Sequence, residues 1–280
     1  MSFIAYIKLL ILSLVQDSII FKPNLSDVGK IKHPLEYHLP ETNNISLETE
    51  DFERINLWVK QPENEDGIVF VVFHGNTGHL GNVGTPSKDD IFEPEYRVNL
   101  LKEIIKTGNG FVAVSLRGYG ASSGKPSEAG FEKDVKAIAK FLENENYPNL
   151  IILSESLGNN TALKLNEALN YKNVQKIALI ASFTDLFDKS TDLYPEFAEF
   201  DLSKILRHKF DNKKILQETK YQGKILLFHP IDDETTPFKH SEKLFEIAKE
   251  KGLDVYLYPL KNCGHITWNP QEIIDIILEK

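Results

Sequence analysis

Apolar segments alternate with helix-like segments over most of this 280-residue chain. The run Ile68–Phe73 is apolar at every position, which is typical of a central strand covered on both faces. Similar strands are predicted at Phe111–Ser115, Leu150–Ser154, Lys176–Ala181, Lys224–His229 and Asp254–Tyr258. Helices are predicted between and after them, at Glu93–Thr107, Glu128–Glu145, Leu157–Leu169, Phe238–Glu250 and Pro270–Leu278. This alternation predicts an α/β fold, a mostly parallel sheet with helices on both faces.

Two further segments complete the predicted architecture. The short strands Ile45–Glu50 and Arg54–Lys60 flank a turn and are expected to pair antiparallel at the edge, which makes eight strands. The less regular segment 182–223 interrupts the series and is predicted to be a small lid insertion. It is rich in aromatic residues, namely Phe183, Phe187, Tyr194, Phe197 and Phe200. These side chains either line an apolar pocket or form the core of the lid itself.

The N-terminus is unusually apolar. The run Phe3–Val15 is broken only by Lys8 and Ser13, and at this length it falls short of the about 20 residues that span a bilayer as a helix. No basic cluster precedes it, so a cleaved signal peptide fits poorly. Three interpretations remain: a membrane anchor, an interfacial helix, or a helix packed on the domain. We therefore divide the chain into an N-terminal hydrophobic segment, 1–21, and one domain, 22–280.

Composition excludes several classes of function. The formal net charge is −9 and the basic residues are scattered, which argues against a nucleic-acid partner. Cys263 is the single cysteine, so an intrachain disulfide is impossible. No grouping of His and Cys has the spacing of a zinc site, and neither a metal nor a cofactor is expected.

Ser156 lies at the centre of the sequence Ser-Glu-Ser-Leu-Gly, between a predicted strand and a predicted helix. This layout is typical of a nucleophile elbow, in which a strained turn exposes the serine hydroxyl at the carboxyl end of a strand. The motif alone is weak evidence, because a serine that merely caps a helix fits the same pattern. Acidic and histidine residues at the ends of other strands would strengthen the interpretation of Ser156 as a nucleophile.

Other strand ends carry such residues. After Phe73 comes the glycine-rich loop 74–78, whose N–H groups are placed to face an oxyanion; an ordinary turn is the alternative. Three acids, Asp232 to Glu234, follow the strand that ends at His229, and His265 precedes the last helix. The order Ser…Asp…His, with each residue just past a strand, is that of α/β-hydrolases. The glycine-rich loop 117–127 is expected to shape the pocket wall.

Taken together, these motifs make the chain resemble a serine hydrolase of the α/β-hydrolase superfamily. Within it, the chain is similar to the membrane-anchored "bud emergence" type hydrolases and to related depalmitoylating hydrolases. The likeness is carried by loop 73–78, loop 117–128, the elbow at Ser156, Asp233 with Pro237, and Gly264–His265. It runs from about Gln16 to the C-terminus. The chain departs from the family pattern at two positions where glycine is common, Ser154 and Pro230.

The resemblance implies an α/β-hydrolase fold and a catalytic triad of Ser156, Asp233 and His265. Asp233 is preferred to Asp232 because the family places the acid four residues before a proline, here Pro237. The oxyanion hole would use the N–H groups of Asn76 and Leu157.

The implied activity is hydrolysis of a carboxylic ester or thioester of a small-molecule or acylated substrate, without cofactor or metal. A peptidase or acyltransferase with the same triad, or a catalytically silent binding module on this fold, are the alternatives. The resemblance also favours membrane association through the N-terminal segment, with a cytoplasmic location as the alternative. Sequence indicates neither the oligomeric state nor the natural substrate.

Overall fold

The protein is known from a computed structural model, which describes residues 3–23, 29–84, 94–197 and 202–279. Its centre is an eight-stranded sheet. The strands are β1 (Asn43–Glu48), β2 (Arg54–Lys60), β3 (Val69–Phe73), β4 (Gly110–Ser115), β5 (Leu150–Glu155), β6 (Val174–Ile180), β7 (Lys224–Pro230) and β8 (Val255–Leu260). The predicted number of strands is confirmed. Each observed strand boundary lies within about two residues of the predicted one, a usual difference at element ends.

The strand order is β1-β2-β4-β3-β5-β6-β7-β8. Strands β3 to β8 run parallel, while β1 pairs antiparallel with β2 and β2 antiparallel with β4. The antiparallel pair predicted at the sheet edge is therefore confirmed. Because the carboxyl ends of the parallel strands share one edge, the loops after β3, β5, β7 and β8 meet there. Those four loops carry the predicted site residues.

Eight helices pack around the sheet within the described part of the chain. They are α1 (Phe3–Ile20), α2 (Tyr96–Lys106), α3 (Glu128–Glu145), α4 (Gly158–Ala168), α5 (Leu186–Leu193), α6 (Asn212–Glu218), α7 (Lys239–Glu250) and α8 (Pro270–Leu278). Residues 85–93, in the loop before α2 where Glu93 was predicted to open the helix, lie outside the described residues. So do residues 198–201 of the predicted lid, including Phe200.

The core has two halves, one on each face of the sheet. Alternate residues of β3 point to opposite halves: Val69, Val71 and Phe73 belong to one, Phe70 and Val72 to the other. The first half is closed by apolar residues of α3, α4, α6 and α7, and the second by those of α2 and α8. The continuous apolar strands thus follow from burial on both faces.

The N-terminal helix α1 packs on the domain along one side. Gln16 is buried, its side-chain nitrogen donates to the Ile205 carbonyl at 3.2 Å, and its side-chain oxygen accepts from the Arg207 N–H at 2.7 Å. Asp17 lies 2.9 Å from the Arg207 guanidinium. Leu12 and Ile20 contact the first half of the core. The second half of α1 is therefore packed on the domain, which was one of the three interpretations of this segment.

Helix α1 also exposes more large apolar side chains to solvent than any other described helix. Among the described residues, no helix combines the length and apolar character that a bilayer crossing requires. The side of α1 that faces away from the domain nevertheless presents five large apolar residues to solvent, namely Leu10, Ile11, Leu14, Val15 and Ile19.

Candidate active site

Ser156 occupies a sharp turn between β5 and α4. Its φ angle is 47°, in the left-handed region that non-glycine residues rarely adopt, and its N–H donates to the Ile180 carbonyl at 2.9 Å. The turn needs a glycine two residues later, since a Cβ on Gly158 would approach the His74 carbonyl oxygen to 2.6 Å. This geometry is that of the predicted nucleophile elbow.

Asn159, at the start of α4, stabilises the elbow through its side chain. Its side-chain oxygen accepts from the Ser154 hydroxyl at 2.6 Å. Its amide group donates to the Ile180 carbonyl at 2.9 Å and to the Ser182 hydroxyl at 2.7 Å. The asparagine therefore links the end of β5 to the end of β6, directly beneath Ser156.

Asp233 and His265 meet at the same edge of the sheet. The His265 Nδ1 atom lies 2.6 Å from Asp233 Oδ2, and the carboxyl group is fully enclosed. The other carboxylate oxygen, Oδ1, accepts from the N–H groups of Thr235 and Thr236 at 2.9 and 2.8 Å. Asp232 is exposed. Of the two neighbouring acids, the structure thus places Asp233 against the histidine.

A second histidine supports the acid from below. His229 is completely buried at the end of β7, and its Nε2 atom lies 2.7 Å from the Thr236 carbonyl and 3.4 Å from Asp233 Oδ2. Because a carbonyl oxygen only accepts, Nε2 carries the proton. Burial raises the pKa of Asp233, but hydrogen bonds from His229 and His265 outweigh that effect and hold the pKa well below its usual range. Asp233 is therefore a carboxylate at neutral pH.

Ser156 and His265 do not contact each other through a hydrogen bond. Within the described ranges, no hydrogen bond links the Ser156 hydroxyl to the His265 imidazole, although His265 is already oriented by Asp233. Catalytic hydrogen bonds are often long in ligand-free enzymes and shorten when the substrate binds. The structure thus brings acid and base together and leaves the third contact open.

The loop after β3 lies on the other side of Ser156. No described residue accepts a hydrogen bond from the N–H of Asn76 or from that of Leu157, whereas the N–H groups of Gly75, Gly78 and Ser156 are paired. Both residues were predicted to hold an oxyanion. The Gly75 N–H is not available for this role, because it donates to Glu155 Oε1 at 2.7 Å.

Glu155 belongs to a buried network that sequence reasoning missed. Its Oε1 atom accepts from the Arg97 guanidinium at 2.5 and 2.9 Å, and its Oε2 atom accepts from the Tyr96 hydroxyl at 2.5 Å. Burial raises the pKa of Glu155, but the Arg97 charge and these hydrogen bonds lower it overall, so the pair is ionic. The available signal was a charged residue at the end of an otherwise apolar strand.

Arg97 extends this network into the loop beside Ser156. Its Nη1 atom donates to the carbonyl groups of Thr77 and His79 at 2.8 and 3.0 Å. Together with the Gly75–Glu155 bond, these contacts fix the loop on both sides of Asn76. We call residues 74–79 the oxyanion wall and residues 233–236 with His265 the acid wall.

His74 is structural rather than catalytic. It is buried, its Nδ1 atom lies 2.6 Å from the Gly75 carbonyl, and its Nε2 atom accepts from the Leu116 N–H at 3.2 Å. Burial and the nearby Arg97 charge lower its pKa to about 3. The imidazole is therefore neutral and connects the oxyanion wall to the loop after β4.

The glycine-rich loop 117–127 also has a supporting role. Arg117 pairs with Asp134 and Asp51, each at 2.8 Å. The hydroxyl of Tyr119 donates to the Asn76 carbonyl at 3.0 Å. No group of three or more potential metal ligands occurs in the described part of the chain.

Comparison with known proteins finds relatives that align with most of the chain. The lysophosphatidylserine lipase ABHD12 of Gallus gallus is 27% identical over 250 residues, which cover 78% of this chain and 62% of that protein. Protein ABHD12B of Homo sapiens is 26% identical over 204 residues, 69% of this chain and 53% of that protein. The chain thus spans about half to three fifths of the length of these relatives. No family model matches the sequence.

Solved structures share the architecture. An α/β hydrolase from Vibrio vulnificus superposes with a TM-score of 0.69 at 21% identity, covering 99% of this chain and 91% of the other. An esterase from Pyrococcus furiosus gives a TM-score of 0.65 at 15% identity, covering 92% and 95%. The protein has the α/β-hydrolase fold, and the resemblance to that superfamily predicted from the sequence is confirmed.

Proposed function

We propose that this protein is a serine hydrolase that cleaves a carboxylic ester or thioester through an acyl-enzyme. The observation that carries the proposal is the 2.6 Å contact between His265 Nδ1 and buried Asp233, on the sheet edge where Ser156 occupies a left-handed turn. The lipase and esterase names of similar proteins support the reaction class.

In this proposal His265 acts as the general base. With Nδ1 hydrogen-bonded to Asp233, the imidazole presents Nε2 to the Ser156 hydroxyl once the substrate is bound, and it accepts the proton as the serine attacks the acyl carbonyl. The Asp233 carboxylate stabilises the resulting imidazolium. The protonated His265 then donates to the leaving alcohol or thiol, and a water molecule activated in the same way releases the acid.

The N–H groups of Asn76 and Leu157 would bind the tetrahedral oxyanion. Their lack of other described acceptors makes them available, and one such preorganised donor typically contributes about 3–4 kcal/mol to the transition state. Two further hydrogen bonds fix the position of Asn76. Its side-chain amide donates to the Ile20 carbonyl at 2.8 Å, and its backbone carbonyl accepts from the Lys22 N–H at 2.8 Å.

For the substrate we propose an acylated lipid with a single long acyl chain, since several similar proteins are named lysophosphatidylserine lipases. The described residues of the predicted lid, 182–197 and 202–223, would cover the acyl chain. Within that segment Phe183 and Phe197 are buried in the core, whereas Phe187 and Tyr194 are exposed and free to contact a lipid.

The decisive test is the reaction of Ser156 with a fluorophosphonate probe, combined with turnover of p-nitrophenyl butyrate. We expect Ser156→Ala to abolish labelling and to lower kcat by a factor on the order of 10⁶, as for other serine hydrolases. Ser18→Ala, an exposed serine bonded only within its own helix, is the matched control and should behave as wild type. Near wild-type turnover by Ser156→Ala would contradict the proposal. Comparison of matched ester, thioester and amide substrates then separates esterase from peptidase activity.

We also propose that α1 rests on a membrane surface without crossing it. The five exposed apolar residues on its outer side suit burial among headgroups and acyl chains. The end of this helix lies next to the oxyanion wall, through the bonds from Ile20 and Lys22 to Asn76. A lipid leaving the surface would therefore have a short path to Ser156.

Vesicle sedimentation tests this association. The wild-type protein should sediment with phosphatidylcholine vesicles. The double variant Leu14→Ser, Ile11→Ser should stay in the supernatant, because it loses apolar surface that the vesicle would bury. Both side chains are exposed, so the double variant should remain folded. Phe52→Ser, which removes a still more exposed apolar residue elsewhere, is the control. Equal sedimentation of all three proteins, or none with wild type, would refute a role for α1.

A further inference from the structure

The charges on and around α5 are paired with one exception. Asp188 pairs with Lys213 and with Lys243, each at 2.9 Å, and Asp192 pairs with Lys239 at 2.6 Å. Lys189, on the same helix, has a hydroxyl and a ring as neighbours instead. Its Nζ atom donates to the Thr236 hydroxyl at 2.6 Å and lies 5.1 Å from the centre of the Phe183 ring. Among the residues that the structure describes, it forms no salt bridge.

This ammonium group lies beside the acid wall of the candidate active site. Thr236 belongs to the acid wall, and its N–H donates to Asp233 at 2.8 Å. Phe183 follows β6, the strand beside the elbow. On the opposite side, Lys22 is bonded through its backbone to Asn76 and Gly78 of the oxyanion wall. The Lys189 ammonium group thus contacts the acid wall, while Lys22 contacts the oxyanion wall through its backbone.

No described residue forms a salt bridge with Lys189. The residue is half-buried, and its ammonium group contacts the buried Thr236 hydroxyl. Burial lowers the pKa of Lys189 to about 8, with the Asp233 charge raising it and the Lys22 charge lowering it. The group is therefore mainly cationic at neutral pH. A buried cation without an anionic partner is costly, and a hydroxyl with an aromatic face offsets only part of that cost.

Asp233 does not serve as that partner. Its oxygens already accept from Thr235, Thr236 and His265, and His229 lies beside them. The ammonium has three donors and uses one of them on Thr236. Two donors and the charge remain for a ligand.

We propose that Lys189 binds an anionic group of the substrate, a phosphate or a carboxylate carried near the scissile ester. This specificity role rests on the proposed esterase function and adds the substrate's charge to it. Lys189 recognises the anion and takes no part in the proton transfers, which belong to Ser156, His265 and Asp233.

The experiment compares pairs of substrates in which one member carries an additional anionic group, with wild type, Lys189→Met and Lys189→Arg. One pair is oleoyl-glycerol against oleoyl-lysophosphatidylglycerol, in which the alcohol carries a phosphodiester. The other pair is p-nitrophenyl butyrate against mono-p-nitrophenyl glutarate, in which the acyl part carries a carboxylate. The pair that responds identifies which anion, and which side of the ester, Lys189 contacts.

We expect Lys189→Met to lower kcat/KM for the anionic member of one pair about 10–100-fold, mainly through KM, as loss of one partner of a charged contact does. The neutral member should change less than about twofold, and Lys189→Arg should retain most of the wild-type preference. Lys239→Met, which removes a lysine paired with Asp192 outside the site, is the matched control. Thermal unfolding checks that every variant is folded.

Two results would overturn the inference. Equal losses on neutral and anionic substrates would show that Lys189 acts through the acid wall, and no loss on any substrate would show that its charge is not used. Both differ from failure of the proposed function, in which wild type neither turns over the neutral esters nor reacts with a fluorophosphonate at Ser156.

Discussion

The two walls that flank Ser156 are stabilised in different ways. Beneath the oxyanion wall, Arg97 and Glu155 neutralise each other at 2.5 Å, and their remaining bonds go to backbone groups of the wall and to the Tyr96 hydroxyl. At the acid wall, the enclosed Asp233 carboxylate contacts His265, and the Lys189 ammonium beside the wall forms no salt bridge among the described residues. We propose that the difference reflects a division of labour, in which the closed ionic network fixes geometry and the groups at the acid wall serve chemistry and recognition.

The largest expected effect comes from the acid wall. Asp233→Asn should lower kcat by a factor on the order of 10⁴, because the amide no longer holds the catalytic tautomer of His265. Asp232→Asn, a change of the same kind at the exposed neighbour, should alter kcat less than about twofold since surface substitutions seldom matter. Steady-state turnover of p-nitrophenyl butyrate measures both. A reversed pattern would assign the acid to Asp232.

A medium effect is expected from the oxyanion wall. Glu155→Gln leaves the Arg97 guanidinium buried without its anion and should reduce the free energy of unfolding by about 3–5 kcal/mol. The displaced loop should also lower kcat about 10–100-fold, less than loss of a complete oxyanion donor. Urea unfolding and turnover at a temperature where the variant is folded provide the two measurements.

Two variants sharpen this prediction. Glu155→Gln combined with Arg97→Met removes both charges and should recover part of the lost stability, because a buried pair is often replaceable as a unit. Arg117→Met removes a buried guanidinium whose partners, Asp51 and Asp134, do not touch the oxyanion wall. It should destabilise the protein without changing kcat. A fall in kcat for Arg117→Met equal to that for Glu155→Gln would assign the catalytic effect to general loosening.

The smallest effect separates the walls by pH. Since the pKa of Lys189 is about 8, raising the pH through this value removes its positive charge, and preference for an anionic substrate should fall while turnover of a neutral ester does not. Three other charged or titratable groups act near this ammonium: Asp233, Lys22 and His240. Asp233 stays ionised, since its pKa is low, and burial lowers the pKa of His240 to about 4, so that it stays neutral.

The ratio of kcat/KM values for the anionic and neutral substrates, measured between about pH 6.5 and pH 9.5, reports the ionisation of the free enzyme. In Lys189→Met this ratio should be independent of pH. The same pH dependence in wild type and in Lys189→Met would exclude Lys189 as its origin.

Sequence patterns predicted the sheet well because its strands are buried on both faces. A run as short and as uniformly apolar as Ile68–Phe73 is typical of a central strand, and the residues after each strand were correctly expected at one edge. The pairing of Asp233 with His265 came from family spacing, since periodicity alone does not separate two adjacent acids. The catalytic roles remain predictions.

Interactions between distant segments could not be predicted in this way. Glu155 and Arg97 are 58 positions apart, and neither lies in a motif that indicates an ion pair. Gln16 and Arg207 are 191 positions apart, so nothing local showed that α1 packs on the domain with one side. Such pairs depend on how the chain folds back on itself, which local patterns do not encode.

The single cysteine has a practical consequence. Cys263 precedes His265 by two residues and is partly buried, and burial raises the pKa of its thiol. A maleimide dye or a nitroxide attached there would label the chain at one position only, on the loop that carries the proposed catalytic base, His265. Spectroscopy of that label would follow the histidine loop directly as substrate analogues bind. The same placement warns against a common misreading, because inactivation by alkylating agents would reflect a blocked histidine loop and give no evidence for a cysteine nucleophile.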